Sequence, residues 1–183
     1  MNKPCGYVCS AVSDSHKTVY ELLTPELKSL VRDANRGSRL HTVGRLDCET
    51  SGLLLITNDG KFSHEITTGA EITKTYRAAL CEMVNPEHQK NYIIQVTAGL
   101  TLPPEKKFGE QKSMPAELQF ESSNICKITL REGKFHEVRR IFRALGNEVI
   151  KLERISIGKL ELPEELHPGQ WRNLSEKELL MLF

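Results

Sequence analysis

An α+β protein built on a largely antiparallel sheet is predicted from three features of the 183-residue sequence. Strand-like and helix-like segments are mixed without a regular β-α-β alternation. Pro115–Phe120 and Ile125–Arg131 alternate in apolar and polar character and are joined through Ser122-Ser123-Asn124, as paired strands are. Phe135–Leu145 has helical spacing, with Phe135, Val138, Ile141, Phe142 and Leu145 on one face, His136, Arg140 and Arg143 opposite, and Arg139 at the boundary.

The remaining elements follow in chain order. Val8 lies in a short β-like start, and Thr18–Val31 reads as a helix through Val19, Leu22, Leu23, Leu27 and Leu30. The glycine-bounded polar loop Gly44–Gly52 feeds Leu53–Thr57, a buried strand stopped by the turn Asn58-Asp59-Gly60. Lys74–Leu80 reads as a strand. Asn85-Pro86 opens a helix, because Asn caps free amides and Pro suits the first turn. Gly146-Asn147 stops the Phe135–Leu145 helix, Val149–Ile157 resumes β character, and Ser175 with Glu178 forms a capping box for a last short helix.

The length suits one domain of about 100–200 residues, with a bilobed form allowed, and it is enough to bury a core without staples. A hydrophobic fraction of 39% and a charged fraction of 27% exclude a disordered chain. The five cysteines include no C-x-x-C pair, which excludes a zinc ribbon and a thioredoxin-type site and predicts free, mostly buried thiols. No long apolar run or signal-peptide pattern occurs, so a cytoplasmic protein without a membrane partner is expected. Net charge is only +1, but Arg131, Lys134, Arg139, Arg140 and Arg143 stand against Glu132 and Glu137 alone. That local patch would have to steer any phosphate backbone.

Chemistry concentrates in Gly44–Gly60, which sets Asp47 on a loop running into an apolar strand, with Arg45 two residues before it. Asp47-x-Glu49-Thr50-Ser51-Gly52-Leu53 matches a stretch of metal-dependent exonucleases, but two-metal chemistry needs further aspartates downstream. The chain has Asp14, Asp33, Asp47 and Asp59 and none beyond. An aspartic-protease reading of Thr50-Ser51-Gly52 lacks its second carboxylate.

A different resemblance covers almost the whole chain. Gly44–Gly60 resembles the signature loop of pseudouridine synthases of the RsuA type, which modify uridines in ribosomal RNA. Asn2-Lys3-Pro4-x-Gly6-Tyr7 matches that family's opening motif and Lys74-Thr75-Tyr76 its tyrosine motif. Residues Glu132–Ile141 match its third motif, and Gly169–Leu174 match its closing G-x-[WY]-R-x-L. The resemblance implies a long central sheet with helices and loops flanking a cleft. It also implies isomerisation of uridine: the N-glycosidic bond breaks, the uracil turns, and a C-glycosidic bond forms at carbon five. Nothing is added or lost, so neither a cofactor nor a metal is implied.

By the same resemblance, Asp47 is the catalytic carboxylate, attacking the ribose anomeric carbon or deprotonating the adjacent carbon; both steps stay open. Either requires the ionised form. Tyr76 corresponds to the tyrosine that stacks on uracil, and a flat ring suits a base that must rotate. Arg139 aligns with the basic residue that pairs with the aspartate, and Arg45 with an arginine that holds the flipped-out nucleotide. Lys134, Arg140 and Arg143 are expected to contact backbone phosphates. His64 and His136 are read as surface or packing residues.

Most RsuA-type enzymes carry an N-terminal RNA-binding module, whereas here the opening motif begins at Asn2. A branch without the module and a trimmed start both account for that. RNA is the expected partner, with no obligate protein partner evident. The other function class is a non-catalytic RNA-binding protein on the same fold, against which intact Asp47, Tyr76 and Arg139 argue. Gly6–Ser10 and Phe62–Thr67 lean toward a site in small-subunit RNA.

Overall fold

Short polar caps, more than long apolar runs, set the element boundaries of this chain. A computed structural model describes all residues except Asp14, Asp33, Ala34, Arg36 and Ala70, so two of the four aspartates counted above lie outside the described residues. The chain divides into two units, Met1–Ile72 with Arg154–Phe183, and Thr73–Glu153.

The first unit opens with strands β1 (Asn2–Lys3), β2 (Tyr7–Val8) and β3 (Lys17–Thr18), then a single 3-10 turn at Val19–Leu22 and helix α1 (Pro25–Arg32). The continuous helix expected over Thr18–Val31 is therefore broken. The chain is extended at Leu23, and the helix restarts at Pro25, whose missing N–H is tolerated in a first turn. Next come β4 (His41–Thr42), β5 (Thr50–Leu53) and β6 (Ile56–Thr57). The expected strand Leu53–Thr57 is thus split, with Leu54 and Leu55 buried between β5 and β6. Asn58-Asp59-Gly60 stops β6 as predicted, but it also starts helix α2 (Gly60–Thr68), absent from the sequence prediction. The Asp59 carboxylate accepts from the amides of Lys61 at 2.8 Å and Phe62 at 3.1 Å, which is an N-cap.

The second unit holds β7 (Lys74–Leu80), α3 (Pro86–Ala98), β8 (Thr101–Leu102), β9 (Gln111–Lys112), β10 (Glu117–Phe120), β11 (Ile125–Leu130) and α4 (Glu137–Ala144). Asn85 caps α3 through the His88 amide at 2.9 Å, as its sequence predicts. Strands β7, β11 and β10 pair antiparallel, with Tyr76 opposite Ile128 and Leu118 opposite Ile128 on its other side. Helix α4 starts two residues later than expected because His136 takes a left-handed backbone with φ 48°, outside helical geometry. Leu80, Ile128, Ile141 and Phe142 centre the core of this unit. Val43, Leu53, Ile66 and Ile157 centre that of the first.

Strand β12 (Val149–Ile157) contributes its first residues to the second unit and its last to the first, where β13 (Leu160–Glu161) and helix α5 (Glu176–Leu180) end the chain. The strand order is β1-β5-β12-β7-β11-β10, with β13 on β12, which gives the α+β class its central sheet. Ser175 and Glu178 form the predicted capping box. All five cysteines are free, but only Cys9 and Cys126 are buried, fewer than the sequence reading expects. Among the described residues no helix is long and apolar enough to cross a membrane.

At one position the sheet leaves no room for a side chain. Gly52 on β5 has φ +107°, and a Cβ there would lie 2.2 Å from the Arg154 carbonyl oxygen on β12. Gly52→Ala should therefore cost about 3 kcal/mol or more, through strain plus a backbone clash. Gly60→Ala, in open space at the start of α2, should be neutral or slightly stabilising. Urea unfolding of both variants checks this, and equal midpoints would show that the close approach is not tight.

Candidate active site

Lys3 organises the loop that carries Asp47. Its side chain is completely buried, and its ammonium donates to the carbonyl oxygens of Thr50 at 2.7 Å, Asp47 at 3.0 Å, Pro4 at 3.1 Å and Cys48 at 3.4 Å. Burial lowers the Lys3 pKa, while nearby Cys9, Cys5, Cys48 and Asp47 work to keep it charged. The loop closes on itself where the Thr50 amide donates to the Asp47 carbonyl at 3.1 Å, and the Gly6 amide donates to the Cys48 carbonyl at 2.9 Å. Cys9 bonds the Leu46 amide through its sulfur at 3.4 Å, and Leu46 is buried. Every residue from Leu46 to Thr50 is thus fixed by a named partner of its backbone, Glu49 through the Cys5 thiol 3.5 Å from its carbonyl oxygen. The Asp47 side chain is half-buried on this fixed backbone, and Arg45, on the same loop, is exposed.

The closing motif fastens the opening one. The Asn2 amide donates to the Gln170 carbonyl at 2.9 Å, the Gly169 amide donates to the Asn2 carbonyl at 2.8 Å, and the Asn2 side chain donates to the Leu166 carbonyl at 2.8 Å. Two segments far apart in sequence therefore place β1, and with it Lys3. An apolar groove of about 470 Å³ elsewhere in this unit is lined by Met1, Leu27, Leu54, Phe62, Trp171 and Leu179, and Asp47 is not among its walls.

In the second unit Tyr76 is half-buried on β7 and packs against the core. Arg139 is half-buried on α4, and its guanidinium donates to the Val149 carbonyl at 2.8 Å, which holds the side chain along the start of β12. Of the three cations expected to contact phosphates, Arg140 and Lys134 are placed otherwise than the sequence reading has them. Arg140 is not on a phosphate-facing surface: it is completely buried. Its guanidinium donates to Gln111 Oε1 at 2.7 Å and to the carbonyl oxygens of Pro103 at 2.8 Å, Gly109 at 2.9 Å and Phe135 at 3.4 Å. The buried arc of α4 includes Glu137 and Arg140 as well as Val138, Ile141 and Phe142, wider than the apolar stripe alone indicates. The Lys134 ammonium is paired with Glu132. Arg143 is the exposed cation of the three, 3.2 Å from Glu105. His136, read as a packing residue, has its Nδ1 2.7 Å from Glu105.

A carboxyl pair missed in the sequence reading lies beside these residues. Burial pushes the Glu137 carboxyl up to about 8, and a hydrogen bond with Glu132 adds to the rise. Burial also opposes ionisation of Glu132, but bonds from Glu137, Lys134 and the Met114 amide hold it below its usual range. At neutral pH Glu137 therefore holds its proton while Glu132 is ionised. Among the described residues no three His, Cys, Asp or Glu side chains are grouped as metal ligands.

This chain belongs to the RNA pseudouridylate synthase family, whose model matches residues 1–144. It is 39% identical to the ribosomal small subunit pseudouridine synthase A of Vibrio cholerae, an alignment spanning 100% of this chain and 72% of that protein. With the protein of the same name from Escherichia coli the identity is 37%, over 98% of this chain and 71% of the relative. A crystal structure of a pseudouridylate synthase superposes with a TM-score of 0.84 at 36% identity, covering 100% of this chain and 72% of that one. A Cbf5-Nop10-Gar1 complex, at TM-score 0.58 and 17% identity, shares the fold alone. Family membership replaces the exonuclease reading of Asp47–Leu53.

The Glu132–Glu137 pair has a measurable consequence. A carboxyl raised from 4.5 to about 8 gives the folded chain more bound protons than the unfolded chain between those values, so stability falls as pH rises through that window. The limiting slope is about 1.4 kcal/mol per pH unit. Glu137→Gln keeps a neutral donor and removes this loss. Urea midpoints at pH 6 and pH 8.5 should diverge for the native chain and stay close for the variant; parallel profiles would disprove the raised Glu137 carboxyl.

Proposed function

We propose that the protein converts a uridine of small-subunit ribosomal RNA into pseudouridine, with Asp47 as the reacting carboxylate. The observation that carries this reading is the Lys3 anchor, which fixes the backbone of the Asp47 loop through its carbonyl oxygens. A rigidly presented carboxylate is what attack on a ribose carbon, or removal of its neighbour's proton, requires. The relatives named as small-subunit synthases support the choice of RNA.

In this reading the target nucleotide is flipped out of its stack and its uracil lies against Tyr76. Asp47 assists cleavage of the bond between the anomeric carbon and N1. The freed uracil turns and bonds through carbon five, then loses the proton from carbon five while N1 gains one, so the reaction is balanced without a co-reactant. Arg139 takes the role that the family resemblance gives it, the basic partner of the reacting carboxylate. Arg45 holds the displaced nucleotide, and Arg143 contacts a backbone phosphate. The protein works beside ribosomal RNA in the cytoplasm, a reducing compartment that suits five free thiols.

Asp47→Asn should abolish release of the carbon-five hydrogen from labelled ribosomal RNA while leaving folding and RNA binding in place. Turnover within tenfold of the native rate would favour a different reacting group. If Arg139 pairs with Asp47, Arg139→Met should lose at least about a hundredfold in kcat, because the reacting carboxylate loses its counter-charge. Arg143→Met should lose much less, and Arg139→Lys should be the milder change at position 139. Equal losses for Arg139→Met and Arg143→Met would remove the pairing.

A further inference from the structure

The hairpin β8–β9 and the residues before α4 form a cluster that the proposed chemistry does not use. Its tip is a tight turn in which the Glu105 amide donates to the Phe108 carbonyl at 2.8 Å and the Phe108 amide donates back at 3.0 Å. Lys106 and Lys107 are the exposed central residues of that turn. Phe108 stacks on Phe135 with ring centroids 4.7 Å apart and planes 20° from parallel, and Phe135 stacks on His136 at 3.8 Å and 17°. The Lys107 ammonium sits 5.6 Å from the Phe108 ring centre, and that of Lys106 is 5.6 Å from the Phe135 ring centre. Glu105 bonds His136 at 2.7 Å and Arg143 at 3.2 Å, which ties the edge of the stack to α4.

Two observations separate this cluster from a chance surface contact. Among the described residues, Lys106 with φ 53° and His136 with φ 48° are the non-glycine residues with positive φ, and both belong here. Glycine would relieve that strain, but only the side chains present put a cation at the tip and a ring at the end of the stack. The cluster is also braced from beneath. The buried Arg140 guanidinium bonds the backbone on both sides of the tip, at Pro103 and Gly109, as well as the carbonyl of Phe135. Loop and stack are therefore held in place before any ligand arrives.

We propose that this cluster is a binding platform for an unpaired segment of RNA, with a base stacking on the outer face of Phe108 and backbone phosphates meeting Lys106 and Lys107. Parallel aromatic rings beside mobile cations fit a π-face next to a phosphate, whatever the base. The proposal rests on the reading that the substrate is RNA, and it assigns residues that the Asp47 chemistry does not require.

The test measures affinity for a fluorescein-labelled oligouridine of about ten nucleotides, in the Asp47→Asn background so that no turnover intervenes. Phe108→Ala should weaken binding roughly 5- to 150-fold, and Phe108→Trp should restore it. Lys106→Glu with Lys107→Glu should weaken binding and flatten its salt dependence by about two phosphate equivalents. Lys90→Glu, a charge reversal at an exposed site on α3, should change little. The double lysine variant decides the matter if Phe108→Ala fails to fold. Affinity within twofold of the parent for both the alanine and the double lysine variants overturns the platform. Affinity retained for oligouridine but lost for intact small ribosomal subunits would assign this face to a protein and also overturn it. Native enzyme that makes pseudouridine while the platform variants bind normally refutes only the platform. Weakened binding in those variants, with no pseudouridine formed by the native chain, refutes only the catalytic reading.

Discussion

The buried ammonium of Lys3 is the constraint on which the Asp47 loop depends. An ammonium taken out of water costs several kcal/mol unless donors and charge are met in place. Here the compensation comes from four backbone carbonyls, three of them in the loop from Asp47 to Thr50. The loop cannot move away without leaving a charge unsolvated, so the cost of burying Lys3 is also what holds Asp47 still. Lys3 pairs with Gly52 across β1 and β5, and Gly52 lies against the Arg154 backbone on β12. Position is thereby passed from the sheet to the loop through contacts that tolerate no extra atom.

Arg140 does for the second unit what Lys3 does for the first. Both are fully buried cations whose donors collect carbonyl oxygens from an irregular segment. The chemistry of each suits its task. A lysine presents three donors at a single point and gathers carbonyls that converge, as those of one tight loop do. A planar guanidinium spreads its donors and bridges segments that are apart, here Pro103, Gly109 and Phe135. Irregular backbone costs conformational entropy and leaves carbonyls without regular partners, and one buried cation answers both.

The same economy explains why the family motifs at the two ends of the chain behave as one. Asn2 spends its backbone on Gly169 and Gln170 and its side chain on Leu166. The Trp171 indole donates to the Leu22 carbonyl at 3.2 Å, and Arg172 is paired with Glu178 at 2.6 Å. None of these residues needs to touch substrate to matter, because they seat the strand from which Lys3 reaches the loop.

Local chemistry alone determined much of this protein. Period-two alternation placed β10 and β11, the Asn85-Pro86 and Ser175–Glu178 caps placed α3 and α5, and the motif residues marked Asp47, because each signal is complete within a few neighbours. The sequence reading missed α2, since Asn58-Asp59-Gly60 reads equally as a turn or as a cap and only the following backbone decides between them. Arg140 went wrong for a related reason: an arginine opposite an apolar stripe looks solvated until the hairpin β8–β9, whose contacts lie 31 and 37 residues earlier, covers it. The stack of Phe108 on Phe135, the buried carboxyl of Glu137, and the carbonyl cage around Lys3 likewise depend on partners distant in sequence or on burial that composition does not encode. What the sequence by itself determined was the family and the candidate carboxylate Asp47; tertiary structure alone decided which cations are exposed and which are buried as braces, because a charge is committed only when distant backbone closes around it.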